Sequence, residues 1–261
     1  MGERILIDGH PTWVEQRGEG AETVVLLHGG LSDSDALLGP LSAPLEGHYR
    51  LVAFDRRGHG YTADTEAPFH YDDMATETIS VLEQVVGGQA HLVGWSDGGI
   101  VALLVALRRP DLVGRLVAIG ANFHHDGILP LDFPPDSPVV AMMAQNYGER
   151  SPDGAEHFGV VAGKFLTMAS TEPTLTVDDL KQIATPTLVM VGDDDVITLG
   201  HTCALYESLP AGQLSVVSGA SHALPLERPD ETARIILGFL TSDVPPVTIM
   251  PVRRTTASPH A

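Results

Sequence analysis

The chain of 261 residues is 43% hydrophobic and 19% charged, which is enough to bury a large core in one domain. Its formal net charge of −19, with basic residues clustered only in short arginine pairs, excludes the usual footprint of a nucleic-acid-binding protein. No apolar run is long enough to predict a membrane span, and the N-terminal residues predict no signal peptide. The single cysteine, Cys203, allows no internal disulfide, so we expect a cytoplasmic protein with neither nucleic-acid nor membrane partners.

The first half of the chain alternates short apolar runs with helical patterns. Strands that alternate with helices of this length predict an α/β fold whose mostly parallel sheet is covered on both faces. His28, Asp55 and Ser96 each follow a predicted strand, so we expect them at one edge of the sheet, where ligands bind. The first helix is expected to be capped by Ser32 or Asp33. Strands are predicted at 4–8, 12–16, 23–27, 50–54, 90–93 and 112–119, and helices at 33–46, 71–86 and 100–107.

The alternation stops between residue 122 and about residue 185. This stretch is rich in proline, but it also contains apolar patches of helical length at 139–143 and 158–168. So many apolar residues are unusual in a solvated loop, and we therefore favour an inserted helical lid at 122–185 over a loose surface excursion. The core is predicted to comprise 1–121 and 186–244, with strands at 186–191 and 213–217 and helices at 201–209 and 229–240. The Pro- and Thr-rich tail, 245–261, is expected to be disordered.

The stretch Gly94–Gly99 reads Gly-Trp-Ser-Asp-Gly-Gly and lies between a predicted strand and a predicted helix. In the pattern Gly-x-Ser-x-Gly, the two glycines allow a sharp turn and a close approach of helix and strand. The turn exposes the hydroxyl of Ser96 near the positive end of the helix. The pattern alone is weakly specific, but its position between strand and helix makes Ser96 a candidate nucleophile.

Two further residues complete a candidate catalytic triad. A serine hydroxyl needs a base to remove its proton, and the base is usually a histidine that is oriented by a carboxylate. Asp195 and His222 each follow a predicted strand later in the chain. The order Ser, Asp, His is the order that this sheet topology requires.

With these motifs, the chain resembles the α/β-hydrolase superfamily over about residues 5–240. The strand–turn–helix elbow at 94–99 resembles in particular that of the valacyclovirase (biphenyl hydrolase-like) branch of the superfamily. The resemblance implies the α/β-hydrolase fold, a mostly parallel eight-stranded sheet with helices on both faces and an inserted helical lid. The motifs that carry it are His28-Gly29-Gly30, the loop 55–60, the elbow 94–99, Gly192 to Asp195, and Gly219 to His222.

The resemblance also implies roles for individual residues. Ser96 is then the nucleophile, His222 the base and Asp195 the acid, because the acid in this family usually lies three residues after the glycine, here Gly192. The oxyanion hole would combine the backbone N–H of Asp97 with one from the loop after His28. Gly30 is the first choice for that second donor, and Leu31 is the alternative.

Three residues are candidates for substrate binding. The Asp97 carboxylate is placed to attract an ammonium group beside the scissile carbonyl, unless it faces solvent or caps the helix. Trp95 either lines the pocket or packs behind the elbow, and Asn122 lies at the entrance to the predicted lid. We interpret His124, His125 and Asp126 as polar lid residues and predict no metal site, because no second group of ligands accompanies them.

We therefore predict a serine hydrolase that cleaves an ester-like bond of a small molecule through an acyl-enzyme, with an amine-bearing ester as a candidate substrate. No cofactor is expected. Carbon–carbon bond hydrolases and cofactor-free haloperoxidases of the same fold use the same triad, so both are alternatives. A receptor-like member that binds its ligand and turns over slowly is a third. The sequence makes no prediction of oligomeric state.

Overall fold

The computed structural model describes residues 2–130, 134, 137–244 and 246–252. Its eight strands form a sheet in the order β1-β2-β4-β3-β5-β6-β7-β8. β2 pairs antiparallel with both β1 and β4, whereas the remaining neighbours pair in parallel. The mostly parallel eight-stranded sheet is therefore confirmed. The strands are β1 (Glu3–Ile7), β2 (His10–Arg17), β3 (Thr23–Leu27), β4 (Arg50–Phe54), β5 (Ala90–Trp95), β6 (Val113–Ile119), β7 (Thr187–Asp194) and β8 (Gly212–Ser221).

Helices cover both faces of this sheet. The central strand β3 shows why, because all five of its side chains are buried. Val25 and Leu27 belong to one hydrophobic cluster, and Val24 and Leu26 to another on the opposite face. The helices α2 (Tyr71–Val81) and α3 (Asp97–Arg108) contribute to the first cluster, while α1 (Asp35–Leu45) and, near the C-terminus, Pro229–Thr241 contribute to the second.

The ends of several elements differ from their predicted positions. The predicted helix 71–86 is α-helical only to Val81 and continues as a π-helical turn, Leu82–Val86, which Gly87 ends in a left-handed conformation with φ of 85°. The helix α1 begins after Ser34, so both predicted caps were wrong. Asp33 instead accepts a hydrogen bond from the backbone of Asp35 and pairs with Arg150. The contact with Arg150 is distant in the chain, so no local pattern reveals it.

The segment between β6 and β7 is largely helical. It contains α4 (Pro138–Arg150), α5 (Phe158–Ala169) and α6 (Val177–Leu180). After β7 the chain forms α7 (Leu199–Ser208), α8 (Leu224–Glu227) and α9 (Pro229–Thr241). Of the predicted tail, residues 245 and 253–261 lie outside the described residues, and 246–252 form neither helix nor strand. Within the part of the chain that the structure describes, no helix combines the length and the apolar character needed to cross a bilayer.

Candidate active site

Ser96 lies on a strained turn at the end of β5. Its backbone has φ of 55° and ψ of −122°, a left-handed conformation that is uncommon outside glycine. The turn is possible because glycines flank it at close range. A Cβ on Gly94 would lie 2.1 Å from the carbonyl oxygen of Gly98, and one on Gly98 would lie 2.0 Å from that of Leu27. The elbow therefore holds the Ser96 hydroxyl above the carboxyl end of the sheet, at the start of α3.

The structure brings the three residues of the predicted triad together. His222 Nε2 lies 2.9 Å from Ser96 Oγ, and His222 Nδ1 lies 2.8 Å from Asp195 Oδ1. The Asp195 side chain is 1% exposed, whereas that of His222 is 27% exposed. An imidazole that is hydrogen-bonded to a hydroxyl on one side and to a buried carboxylate on the other can remove the hydroxyl proton. The distances suit that transfer.

Only one of three consecutive aspartates contacts His222 in the described residues. Asp195 also accepts a hydrogen bond from the backbone of Ile197, which fixes the carboxylate toward the imidazole. Asp193 instead accepts from the backbone of Gly219, and Asp194 is exposed. Gly120 supplies the space for this pair, since a Cβ there would lie 3.1 Å from His222 Nδ1 and 3.2 Å from Asp195 Oδ2.

The two candidate oxyanion-hole segments meet beside Ser96. A Cβ on Gly29 would lie 3.3 Å from the Cβ of Ser96, so the loop after β3 passes directly over the nucleophile. Leu31 adopts a positive φ of 51°, which marks a tight turn in that loop. Asp97 is the first residue of α3, where backbone N–H groups have no partner in a preceding turn. These N–H groups are thus available at the site, and their role in binding an oxyanion stays a prediction.

The Asp97 side chain is buried, with 4% exposure, and so does not face solvent. Its Oδ1 accepts a hydrogen bond of 2.7 Å from the Tyr71 hydroxyl, while its Oδ2 has no hydrogen-bond partner among the described residues. A Cβ on Gly30 would lie 2.5 Å from Oδ2 and 2.4 Å from the ring of Phe165. The unpaired oxygen therefore borders the loop 28–31, which we call the oxyanion loop, and the side chain of Phe165 in α5.

The pKa of the Asp97 carboxyl group lies above its ordinary value, because burial outweighs the opposing contacts. Burial raises the pKa of Asp97, whereas the charges of Arg56 and His222 and the Tyr71 hydrogen bond oppose that rise. Arg56 is completely buried and donates to the carbonyl oxygen of Gly29, which ties the loop after β4 to the oxyanion loop. The elbow thus combines an unpaired carboxylate oxygen with a nearby buried cation, and neither is open to bulk water.

Buried polar residues behind the site hold its loops in place. Asp55 accepts hydrogen bonds from the backbone N–H groups of Ser34 and Tyr61, at 2.7 and 2.8 Å, and burial raises its pKa to about 6. His28 contacts the backbone N–H of Arg56. Burial lowers the pKa of His28 far below its ordinary value, so it is neutral at pH 7. These groups hydrogen-bond to the backbone of the loops and make no hydrogen bond with Ser96 among the described residues.

The other two predicted substrate-binding residues have partners within the protein. Trp95 donates a hydrogen bond of 2.7 Å from Nε1 to the carbonyl oxygen of His222. Asn122 is 2% exposed and donates to the carbonyl oxygen of His124. Sequence reasoning missed Tyr71 and Phe165, because a tyrosine opening one helix and a phenylalanine within another carry no pattern that separates them from core residues.

The cluster of His124, His125 and Asp126 lies apart from the triad contacts. Its possible metal-binding atoms all lie within 4.8 Å of one another. Asp126 Oδ1 lies 3.2 Å from His125 Nδ1, while His124 Nδ1 accepts a hydrogen bond from the backbone N–H of Asp126. The three residues therefore contact one another, and their interpretation as polar lid residues without a metal stays a prediction.

A nucleophile on a strand–turn–helix elbow, with an acid and a histidine after later strands, defines the class of α/β hydrolases. Residues 24–235 match the model of the alpha/beta hydrolase family, and the chain belongs to this family of enzymes. It is 25% identical to the serine hydrolase BPHL of Mus musculus over 91% of this chain and 85% of that protein. It is 27% identical to a putative carbamate hydrolase, RutD, of Rhizobium rhizogenes, over 83% and 92% of the two chains.

Solved structures show the same fold. The meta-cleavage product hydrolase CumD from Pseudomonas fluorescens superposes with a TM-score of 0.76 and 24% identity, covering 92% of this chain and 97% of that chain. The carboxylesterase CesB from Bacillus subtilis superposes with a TM-score of 0.66 and 25% identity, covering 92% and 91%. The resemblance to the biphenyl hydrolase-like branch is thus confirmed, and the chain is a hydrolase that acts on small molecules.

Proposed function

We propose that this protein is a serine hydrolase that cleaves an ester-like bond of a small molecule through an acyl-enzyme. The observation that carries the proposal is the continuous hydrogen-bonded chain from Ser96 through His222 to Asp195. His222 accepts the Ser96 proton as Oγ attacks the carbonyl carbon, and then donates a proton to the leaving group. A water molecule, activated by His222, subsequently attacks the acyl-enzyme and releases the acid.

The developing negative charge on the carbonyl oxygen is stabilised by backbone N–H groups. The Asp97 N–H is one donor, and Gly30, or alternatively Leu31, supplies the other. Their support is the position of both segments beside Ser96, at the start of α3 and in the loop after β3. Loss of one such donor typically costs about 3 kcal/mol of transition-state stabilisation.

The preferred substrate is an amine-bearing ester. Asp97 supports this, because its Oδ2 is buried and unpaired next to Gly30, where the reacting carbonyl would lie. A substrate ammonium group at this oxygen would pair the carboxylate and would also lie near the Phe165 ring, whose face attracts cations. The segment 122–185 acts as a lid that builds the rest of the pocket. The related carbamate hydrolases make a carbamate the second candidate substrate.

The mechanism is tested with a short p-nitrophenyl ester and the Ser96→Ala variant. We expect wild-type hydrolysis and a loss of at least about a thousandfold in the variant, since triad residues act together. Retention of more than about a tenth of the wild-type rate in Ser96→Ala would refute Ser96 as the nucleophile. If the wild type cleaves no ester or carbamate, the carbon–carbon hydrolase and the slow, receptor-like alternatives take its place.

The substrate preference is tested with two p-nitrophenyl esters that differ only by an α-amino group. Asp97→Asn keeps the hydrogen bond from Tyr71 possible but removes the negative charge. We expect kcat/KM for the amine-bearing ester to fall about tenfold or more, and that for the neutral ester to change less than threefold. Equal changes for both esters would show that Asp97 does not select the amine.

A further inference from the structure

Trp95 joins three parts of the active site at once. It directly precedes Ser96, and its Nε1 donates a 2.7 Å hydrogen bond to the carbonyl oxygen of His222, 127 residues later. Its ring lies 6.0 Å from the His222 ring, centroid to centroid. On another side, a Cβ on Gly29 would lie 3.3 Å from the Trp95 ring carbon Cε3. The indole is therefore in contact with the nucleophile elbow, the base and the oxyanion loop.

Two acidic side chains hold the part of the loop that precedes His222. Asp193 accepts from the backbone N–H of Gly219, and Glu227 accepts from both the N–H and the hydroxyl of Ser221. Asp193 and Glu227 therefore hold residues that precede His222, whereas Trp95 binds the carbonyl group of His222 itself. Trp95 therefore holds the backbone of the residue that carries the imidazole, while Asp195 binds the imidazole itself.

We propose that Trp95 is a positioning residue, which holds His222 at hydrogen-bond distance from Ser96 through the indole N–H, rather than a residue that binds substrate. This inference rests on the proposed serine-hydrolase function. The physical reason is that proton transfer needs a near-attack geometry, and displacement by about 1 Å can cost up to a hundredfold in rate. A rigid, half-buried ring next to the nucleophile limits such displacement.

The test uses Trp95→Phe, which keeps an aromatic ring but removes the N–H donor. We expect kcat for a p-nitrophenyl ester to fall about tenfold, with KM changed by less than about twofold. The rate at which a fluorophosphonate labels Ser96 should fall in parallel, because labelling requires the same activation by His222 but no bound substrate. Trp13→Phe is the matched control, since it removes the chain's other indole, which lies on β2 and packs against Tyr61.

The outcomes separate the two proposals. A wild-type enzyme that is not labelled at Ser96 would refute the serine-hydrolase function itself. Equal labelling rates and equal kcat in wild type and Trp95→Phe would overturn only the positioning role. A rise in KM with unchanged kcat and unchanged labelling would also overturn it, and would show that Trp95 binds substrate instead.

A fluorescence measurement tests the ring contact directly. In Trp13→Phe, Trp95 is the remaining tryptophan, because the chain has only two. Its emission should change on His222→Gln, because the rings of Trp95 and His222 lie 6.0 Å apart, centroid to centroid. Emission that is unchanged by His222→Gln would contradict the contact on which the inference rests.

Discussion

The elbow helix α3 and the helices of the inserted segment are held in place by different forces. In α3, 10 of 12 residues are buried, and glycines bring the helix against β3 and β5 at backbone distance. In α4 only Tyr147 is buried, and in α5 only Val161 and Met168. The core therefore sets the chemistry by close packing, whereas the inserted segment lies over it with few buried apolar contacts.

Ionic contacts compensate for that sparse packing. Asp64, whose side chain is 3% exposed, accepts hydrogen bonds of 2.8 Å from both His157 and Lys164 of the inserted segment. Arg150, at the end of α4, pairs with Asp33 beside the oxyanion loop at 3.2 Å. Charged contacts of this kind depend on pH and salt, while steric contacts between backbones do not. The inserted segment is therefore held to the core partly by charged contacts, whereas α3 is held by steric packing.

The largest expected effect concerns the acid of the triad within the rigid core. Asp195→Asn keeps the side-chain shape but no longer holds His222 in the correct tautomer, so kcat should fall by about 10⁴. Asp194→Asn, one residue earlier and exposed, should change kcat by less than about twofold and is the control. Steady-state kinetics with the same ester measure both, and similar losses in the two variants would contradict the assignment of Asp195.

The packing difference is tested by the same substitution in two helices. Gly98→Ala in α3 would bring a Cβ to 2.0 Å from the Leu27 carbonyl oxygen, and should lower the free energy of unfolding by about 3 kcal/mol. Gly163→Ala in α5 meets no atom within 4 Å, and should raise it by about 0.5–1 kcal/mol through helix propensity. Denaturant unfolding measures both changes. If both substitutions changed the free energy of unfolding in the same direction, the difference in packing between α3 and α5 would be contradicted.

A smaller effect than that of Gly98→Ala is expected for the ionic attachment of the inserted segment. Asp64→Asn should lower the free energy of unfolding by about 2 kcal/mol at pH 7 and accelerate proteolysis within 122–185. Burial alone would raise the pKa of Asp64, but the Lys164 and His157 hydrogen bonds outweigh it and hold the pKa below 3.8. The stabilisation by the charged Asp64 carboxylate is therefore complete above about pH 4. It is lost as the pH falls through the lowered pKa of Asp64.

Urea unfolding of wild type and Asp64→Asn across a pH series checks the sign of this effect. The difference between the two proteins should be constant at neutral pH and disappear in acid, where Asp64 is protonated. A difference that grew toward low pH would contradict the role of Asp64 as a charged anchor. Arg150→Met removes a second ion pair of the inserted segment, the one with Asp33, and tests its attachment independently of Asp64.

Much of the candidate site could be predicted from local patterns, because each candidate catalytic residue follows a strand and carries a short motif. The Gly-x-Ser-x-Gly spacing requires a sharp turn, which the positive φ of Ser96 realises. The same reasoning did not reveal that Trp95 binds His222 or that Tyr71 binds Asp97, since 127 and 26 residues separate these partners. The start of α1 was also misplaced, because Asp33 and Ser34 are bound by residues far along the chain.

The sequence by itself determined the alternation of strands and helices, the mostly parallel sheet and the candidates Ser96, Asp195 and His222, since periodicity and turn chemistry are local properties. Only the tertiary structure decided which carboxylate faces the imidazole and which oxygen of Asp97 is left unpaired. It also decided that the Trp95 indole donates to the carbonyl oxygen of His222. These hydrogen bonds require two atoms that lie within about 3 Å of each other. Residues that are distant in the chain come this close only because the strand ends meet in the folded protein.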